Sequence, residues 1–215
     1  MQYILRQLPE LDHWCVELGA WDGVYLSNTY YLISHAGYNA VLVEGDKNRF
    51  EALTRNMLRW PGVICINKFV GIGGPDSLDC ILAETPIKEN FDLLSIDIDG
   101  EDYHVWNCLN NYRPKVIIIE IGLYYKPGIH KINEIGSNYV YGVSGSSISS
   151  MTELAEHKGY KLICCIGCNA SKGTRALATW LKSRYCLSRG ITERSVAPVV
   201  QAALAGLASQ SERAA

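Results

Sequence analysis

Short apolar runs alternate with amphipathic stretches along most of the chain, which is typical of an α/β fold. Within the run Lys115–Ile121, residues 116–119 are all β-branched, as expected for a strand buried on both faces. The predicted strands are Trp14–Leu18, Val41–Glu44, Val63–Ile66, Phe91–Ile98, Lys115–Ile121 and Tyr160–Ile166. This order predicts a doubly wound, mostly parallel sheet with helices on both faces.

Capping residues predict where the helices between these strands begin and end. One helix runs from about residue 27 to residue 36 and ends at Gly37, and the next begins after Asp46. Asp102 is the expected N-cap of the helix after the fourth strand. Ser150-Met-Thr-Glu153 has the pattern of a capping box and predicts the start of a further short helix.

Two segments depart from this alternation. Residues 122–149 are rich in Gly, Ser and Tyr and are too long for a plain connection, which predicts an insertion or lid facing the substrate. After Asn169 no apolar run predicts another strand, and Ala197–Ala208 has the pattern of a helix. We therefore expect a domain over residues 1–169 and a divergent, Ala-rich, partly helical segment over residues 170–215.

Charge is unevenly distributed over the 215 residues. Residues 1–159 carry 12 basic and 20 acidic side chains, whereas residues 160–215 carry 8 basic and 2 acidic ones. An acidic body argues against a nucleic-acid-binding groove, and the basic side chains of the tail are scattered rather than clustered. No apolar run approaches the roughly 20 residues of a membrane span, and no signal peptide is recognisable. We expect a cytoplasmic protein without nucleic-acid or membrane partners.

The eight cysteines indicate neither disulfides nor a metal. Cys165-Ile-Gly-Cys168 has the spacing of a ligand pair, but a zinc site needs a second pair at a suitable distance along the chain, and the sequence has none. Cys15, Cys65 and Cys164 lie in apolar runs, where a free thiol behaves as a small hydrophobe. No metal centre is predicted from them.

The first group of candidate functional residues follows the first strand. Glu17, Gly19, Asp22 and Gly23 form a Gly-containing turn, and Glu44 ends the second strand one βα unit later. Two carboxylates beside such a turn would repel a pyrophosphate, whereas they suit a cationic or hydroxylated ligand. S-adenosylmethionine has an ammonium, a sulfonium and a ribose diol, and Glu44 is placed to accept both diol hydroxyls.

The second group ends the fourth predicted strand. Strand alternation places Asp97 and Asp99 on one face at the carboxyl end of the sheet, where open α/β sheets bind ligands. Carboxylates there are costly to bury without partners. Two such oxygen ligands could also hold Mg²⁺ or Mn²⁺, especially with Glu120 at the end of the neighbouring strand.

These motifs together resemble the FkbM-like branch of class I S-adenosylmethionine-dependent methyltransferases, over about residues 14–170. The stretches that carry the resemblance are Glu17-Leu-Gly-Ala-Trp-Asp-Gly23, Val43-Glu-Gly-Asp46, Asp92-Leu-Leu-Ser-Ile-Asp-Ile-Asp-Gly100 and Ile118-Ile-Glu120. The resemblance implies a Rossmann-like fold and S-adenosyl-L-methionine as cofactor. It implies that Glu17, Gly19 and Asp22 line the methionine end, that Glu44 holds the ribose, and that Asp97 faces the cofactor amine or the substrate.

The expected reaction is methylation of a hydroxyl on a sugar or small metabolite, so the partner is a small-molecule or glycan acceptor. Asp97, Asp99 and His130 are the candidate catalytic residues; His130 lies in the insertion and could act as a base. His104, in the helix after the acidic pair, is more typical of a surface histidine.

Two other functions remain open. Asp97-Ile-Asp99 is a D-x-D sequence, which a metal-dependent glycosyltransferase would use to bind a sugar nucleotide through Mn²⁺. Such an enzyme has no need of Glu17 and Asp22 in the first turn. A catalytically inactive module that binds the cofactor is the third interpretation, because a fold alone does not establish an activity.

Overall fold

A computed structural model describes residues 2–122, 124–140, 144–170 and 173–185 of the chain. The helices are α1 Gln2–Arg6, α2 Tyr30–Ala36, α3 Lys47–Met57, α4 Leu78–Ala83, α5 Asp102–Cys108 and α6 Ile148–His157, with a 3-10 turn at Gly74–Asp76. The strands are β1 Trp14–Leu18, β2 Asn39–Glu44, β3 Val63–Asn67, β4 Leu93–Ile96, β5 Val116–Glu120, β6 Tyr160–Ala170 and β7 Gly173–Lys182.

The seven strands form one sheet in the order β3-β2-β1-β4-β5-β7-β6. The pairs from β3 to β5 are parallel, and β7 runs antiparallel to both β5 and β6. The sheet is therefore doubly wound and mostly parallel, with a reversal of strand order between β1 and β4. Open α/β sheets bind ligands at the carboxyl edge beside such a reversal.

Helices cover both faces, as the sequence predicts. Buried side chains of α1, α2 and α3 pack on one face, with Leu42 of β2 among them. Those of α4, α5 and α6 pack on the other face, where Val43 of the same strand lies. Successive residues of β2 thus enter opposite cores, because side chains alternate across a strand. Fully buried strands explain the unbroken apolar runs in the sequence.

The expectation that no strand follows Asn169 is wrong. β7 pairs with β5 from Val116 opposite Leu181 to Glu120 opposite Leu177, so it lies inside the sheet. Trp180 is fully buried there. The predicted domain boundary at residue 169 falls within β6. The helix predicted at 197–208 lies outside the described residues.

Two of the helix starts differ in detail from the prediction. Asp46 caps α3 as expected, since its side chain accepts a hydrogen bond from Arg49 N at 2.9 Å. α6 begins at Ile148 with Ser147 as its N-cap, so the capping box predicted at Ser150 is wrong. Asp102 begins α5, but its carboxylate accepts hydrogen bonds from the preceding turn.

The two ends of the insertion lie side by side. Gly122 N donates a hydrogen bond to Ser146 O at 2.9 Å, and the middle of the insertion is held to α5. There Gly136 N donates to Glu101 Oε1 at 2.8 Å, and His104 Nε2 lies 2.7 Å from Asn133 O. In the part of the chain that the structure describes, no helix has the length and hydropathy needed to cross a bilayer.

Candidate functional site

Gly19 brings the turn after β1 into direct contact with the end of β4. Its φ is +70°, in the left-handed region that favours glycine. A Cβ at this position would lie 1.9 Å from the carbonyl oxygen of Asp97. Gly19 N also donates to Val43 O at 3.0 Å, so the turn contacts both strands that flank β1. Only glycine fits this approach without a shift of the backbone.

Glu17 is buried and hydrogen-bonded by the chain itself. One carboxylate oxygen accepts hydrogen bonds from the hydroxyls of Ser27 and Thr29, both at 2.6 Å, and the other accepts one from Asn28 N at 2.7 Å. Burial raises the pKa of Glu17, and the hydrogen bonds oppose this rise. In this arrangement Glu17 fixes the segment that follows the turn.

Glu44 lies at the end of β2 and is 6 % exposed. Its Oε2 accepts a hydrogen bond from Trp21 N at 2.8 Å, and its Oε1 accepts one from Asp46 N at 2.8 Å. Each carboxylate oxygen has more than one lone-pair direction, so these two bonds leave acceptor capacity on both oxygens. The two backbone donors therefore fix the orientation of a side chain that can still accept hydrogen bonds from a ligand.

The carboxylates of Asp97, Asp99 and Glu120 offer oxygens that lie within 4.8 Å of one another. Strand alternation is not the cause, because β4 ends at Ile96 and Asp99 has a φ of +58°. Asp97 and Asp99 lie in the turn between β4 and α5, and Glu120 is the last residue of β5. Three oxygen donors at this spacing are the kind of set that Mg²⁺ or Mn²⁺ uses.

Asp102 shapes the turn that carries two of these acids. Its two carboxylate oxygens accept hydrogen bonds from Ile98 N and Gly100 N, both at 3.0 Å. Asp102 is 3 % exposed, and burial raises its pKa to about 7 although the two backbone hydrogen bonds oppose the rise. The negative charge of Asp97 contributes to this raised pKa, after the larger effect of burial.

A cavity of about 280 Å³ lies over the carboxyl edge of β1, β2 and β4. It brings together four residues that the sequence identifies as candidates, which are Gly19, Glu44, Asp97 and Asp99. A smaller recess beside it is lined by Glu17, and the two share Gly19, Trp21 and Asp97. The candidates from two distant sequence motifs thus meet in one place.

The remaining candidates lie elsewhere. Asp22 accepts hydrogen bonds from the backbone N–H groups of residues 24 and 25, so it stabilises the turn. Gly23 contacts α3, where an added Cβ would lie 2.6 Å from Leu53 Cδ1. His130 is 58 % exposed in its side chain, and its Nδ1 lies 3.2 Å from a carboxylate oxygen of Glu153. None of the three is among the described residues that line the cavity or the recess.

Four further lining residues were not identified from the sequence. Arg49 and Lys68 are basic, Phe69 is 77 % exposed, and Trp21 lies in the turn itself. The Arg49 guanidinium lies 3.8 Å from the centre of the Trp21 ring, a cation–π contact. Phe69 packs on Gly45, where an added Cβ would lie 2.3 Å from the ring. Gly45, next to Glu44, is a sequence signal that could have pointed to Phe69 on this side of the cavity.

The fold is shared with solved structures of methyltransferases. The METTL16 MTase domain matches at a TM-score of 0.54 and 12 % identity over 84 % of this chain and 64 % of that one. The N-terminal domain of EvdMO1 with SAH bound matches at 0.52 and 14 %, over 84 % and 78 %. TrmK of M. capricolum, in complex with S-adenosyl-homocysteine, matches at 0.52 and 13 %, over 85 % and 69 %. No protein-family model and no curated protein sequence matches the chain.

Proposed function

We propose that the chain is an S-adenosylmethionine-dependent methyltransferase of the FkbM-like branch that methylates a hydroxyl of a sugar or small metabolite. The observation that carries the proposal is the contact between Gly19 and the Asp97 carbonyl, with Glu44 fixed beside them at the reversal of strand order. The missing Cβ of Gly19 lets the turn after β1 meet the end of β4 at the ligand-binding edge of the sheet. The carboxylates of Glu44 and Asp97 can accept hydrogen bonds from the ribose hydroxyls and the ammonium group of S-adenosylmethionine.

The ribose would lie against Glu44. The two carboxylate oxygens of Glu44 are oriented by hydrogen bonds from Trp21 N and Asp46 N. Each oxygen can accept a further hydrogen bond from one hydroxyl of a cis diol. The exposed Phe69 ring beside Gly45 offers a flat apolar surface next to this position, which suits an adenine ring.

The ammonium end would lie near Asp97, at the border between the cavity and the recess. When bound, S-adenosylmethionine supplies an electrophilic methyl group on its sulfonium. The chain aligns the acceptor hydroxyl and removes its proton, for which Asp97 and Asp99 are the candidate bases. His130 is the alternative base, although it is not among the described residues that line the cavity or the recess.

A glycosyltransferase that uses Asp97, Asp99 and Glu120 to hold Mn²⁺ is the second candidate, because these three carboxylates lie within 4.8 Å. The turn after β1 argues against it. Glu17 and Glu44 are two buried acids beside this turn, and their negative charges would repel a diphosphate there.

Calorimetric titration with S-adenosylhomocysteine tests the proposal. We expect binding by the wild-type chain and a loss of about 10- to 100-fold in Glu44→Gln, since hydrogen bonds to charged groups contribute about 1.5–3 kcal/mol. Glu51→Gln, an exposed acid of the same chain segment, is the control and should bind normally. Thermal melts of both variants show whether the fold is kept.

Absence of S-adenosylhomocysteine binding by a folded wild-type chain would refute the proposal. UDP-sugars with Mn²⁺ are titrated in parallel, with and without EDTA. Binding of a UDP-sugar that EDTA abolishes would instead support the glycosyltransferase. Cofactor binding with unchanged affinity in Glu44→Gln would remove Glu44 from the ribose site.

A further inference from the structure

The turn between Ala20 and Ser27 displays four apolar side chains to solvent. Trp21 is 41 % exposed, Val24 is 40 %, Tyr25 is 62 % and Leu26 is 57 %. Four such residues within six positions are a dense exposed apolar group for a single turn. Exposed patches of this kind mark binding surfaces more often than chance.

The turn exposes these side chains at a cost in backbone conformational energy. Trp21 has a φ of +51° and Leu26 a φ of +54°, and both carry a bulky side chain in the left-handed region. That region is unfavourable for residues other than glycine, asparagine and aspartate. Strained residues of this kind persist only where surrounding contacts determine them, and they cluster at binding sites.

Hydrogen bonds at both ends supply those contacts. Glu44 Oε2 accepts one from Trp21 N at 2.8 Å, and Asp22 Oδ1 accepts two from the backbone N–H groups of residues 24 and 25 at 2.9 and 2.7 Å. The far end is held by the three hydrogen bonds to Glu17. The aromatic side chains are therefore presented on a preorganised backbone, so that little ordering entropy is lost on binding.

The displayed rings adjoin the proposed site of methyl transfer. Trp21, Tyr25 and Leu26 line the recess that also contains Asp97. Trp21 and Asp97 line the larger cavity as well. A molecule lying on these side chains would thus lie next to Asp97.

The charged groups around residues 21–26 limit the kind of molecule that can bind on this surface. The Arg49 guanidinium covers one face of Trp21 at 3.8 Å, which disfavours a second cation at that ring. Tyr25 meets Trp21 edge to face, with ring centres 6.2 Å apart, and is more exposed than Trp21. The neighbouring carboxylate accepts hydrogen bonds and does not donate them. A neutral ring is not repelled by Arg49, and its apolar face can stack on Tyr25. Its hydroxyl groups can donate hydrogen bonds to the carboxylate of Asp97.

We propose that residues 21–26 form the acceptor-binding wall, on which a pyranose ring of the acceptor stacks against Tyr25 and directs a hydroxyl towards Asp97. The proposal rests on the proposed methyl transfer and specifies its substrate as a sugar. Residues 21–26 are then specificity-determining, and they act by contact with the acceptor.

The test is a titration of the ¹⁵N-labelled full chain, saturated with S-adenosylhomocysteine, by methyl pyranosides of glucose, galactose, mannose and rhamnose. The indole N–H signal of Trp21, assigned with Trp21→Phe, reports binding. We expect at least one pyranoside to shift this signal, and Tyr25→Ser to weaken that binding by about tenfold, a usual loss for one aromatic contact. Tyr31→Ser is the matched control, because Tyr31 is 52 % exposed but stacks on His35 of α2.

Two non-ring probes and the cofactor separate the alternatives. Sorbitol has hydroxyls without a ring face, so an equal shift by sorbitol would overturn the stacking. Tighter binding of tetramethylammonium at the same signal would overturn the choice of a neutral ring. If S-adenosylhomocysteine binds and no pyranoside does, the acceptor wall is refuted while the proposed function stands. If pyranosides bind and S-adenosylhomocysteine does not, the proposed function is refuted, and residues 21–26 bind a sugar without being the acceptor wall of a methyltransferase.

Discussion

Replacing Gly19 with alanine tests the contact on which the candidate site depends. The new Cβ would lie 1.9 Å from the Asp97 carbonyl oxygen, whereas real Cβ contacts are essentially never shorter than 3.0 Å. The turn and the end of β4 must then separate by roughly 1 Å, and overpacking of this kind costs about 1–3 kcal/mol. The left-handed φ of +70° adds about 1–2 kcal/mol for a residue with a Cβ.

Gly37→Ala is a matched control for the conformational part of this cost. Gly37 ends α2 with a φ of +68°, and nothing lies within 4 Å of the position of an added Cβ. We therefore expect Gly37→Ala to lower the free energy of unfolding by only about 1–2 kcal/mol, which is the cost of the left-handed backbone conformation for a residue with a Cβ. Gly19→Ala should lower the free energy of unfolding by about 1–3 kcal/mol more, because of the clash with the Asp97 carbonyl.

Urea denaturation gives both free energies of unfolding, and calorimetry gives the affinity for S-adenosylhomocysteine. Gly19→Ala should weaken that affinity by about tenfold or more, since a shift of about 1 Å displaces both the turn and Asp97. Gly37→Ala should bind as the wild type does. Equal free energies of unfolding for the two variants, with unchanged cofactor affinity, would refute the reasoning.

Two other changes test features away from the cavity. A chain that ends after Tyr185 should give a cooperative thermal melt, whereas one that ends after Ala170 should not, because it lacks β7, where Trp180 is fully buried; a cooperative melt of the shorter chain would contradict this. Because burial raises the pKa of Asp102 from 3.8 to about 7, the folded chain keeps a proton that the unfolded chain releases. The free energy of unfolding should therefore fall as pH rises through this interval, by about 4 kcal/mol at most. Asp102→Asn should flatten the fall, as measured by urea denaturation at several pH values; an unchanged slope would show that Asp102 does not contribute.

Local sequence signals were sufficient for most of the sheet. The strands β1, β2, β4 and β5 are short apolar runs in the sequence, since each is buried on both faces. The edge strand β3 is only partly buried, but it is also a short apolar run. β7 was missed because Lys172, Thr174 and Arg175 interrupt the apolar pattern at its start, so that the run Ala176–Leu181 did not stand out. α4 was missed because a helix of six residues is too short to show a period.

The same distinction holds for the candidate site. Gly19 and Glu44 were recognisable because a glycine turn and an acid at a strand end each have a meaning within one βα unit. Arg49 and Phe69 reach the cavity from α3 and from the segment after β3, and no local pattern links them to the first turn. Glu17 was predicted to line the cofactor, but the hydrogen-bond donors of its carboxylate lie 10 to 12 residues further along the chain and become visible only in three dimensions.

The position of β7 also sets an order of events for a chain that is made from its N-terminus. Strands β1 to β5 can pair in parallel as they emerge, but the edge of β5 that faces β7 has no partner until β7, Gly173–Lys182, is complete. β6, although made earlier, reaches the sheet only through β7. During synthesis the nascent sheet therefore exposes an unpaired apolar edge, which is a template for association with other chains. Until β7 pairs with that edge, the described sheet is exposed to aggregation.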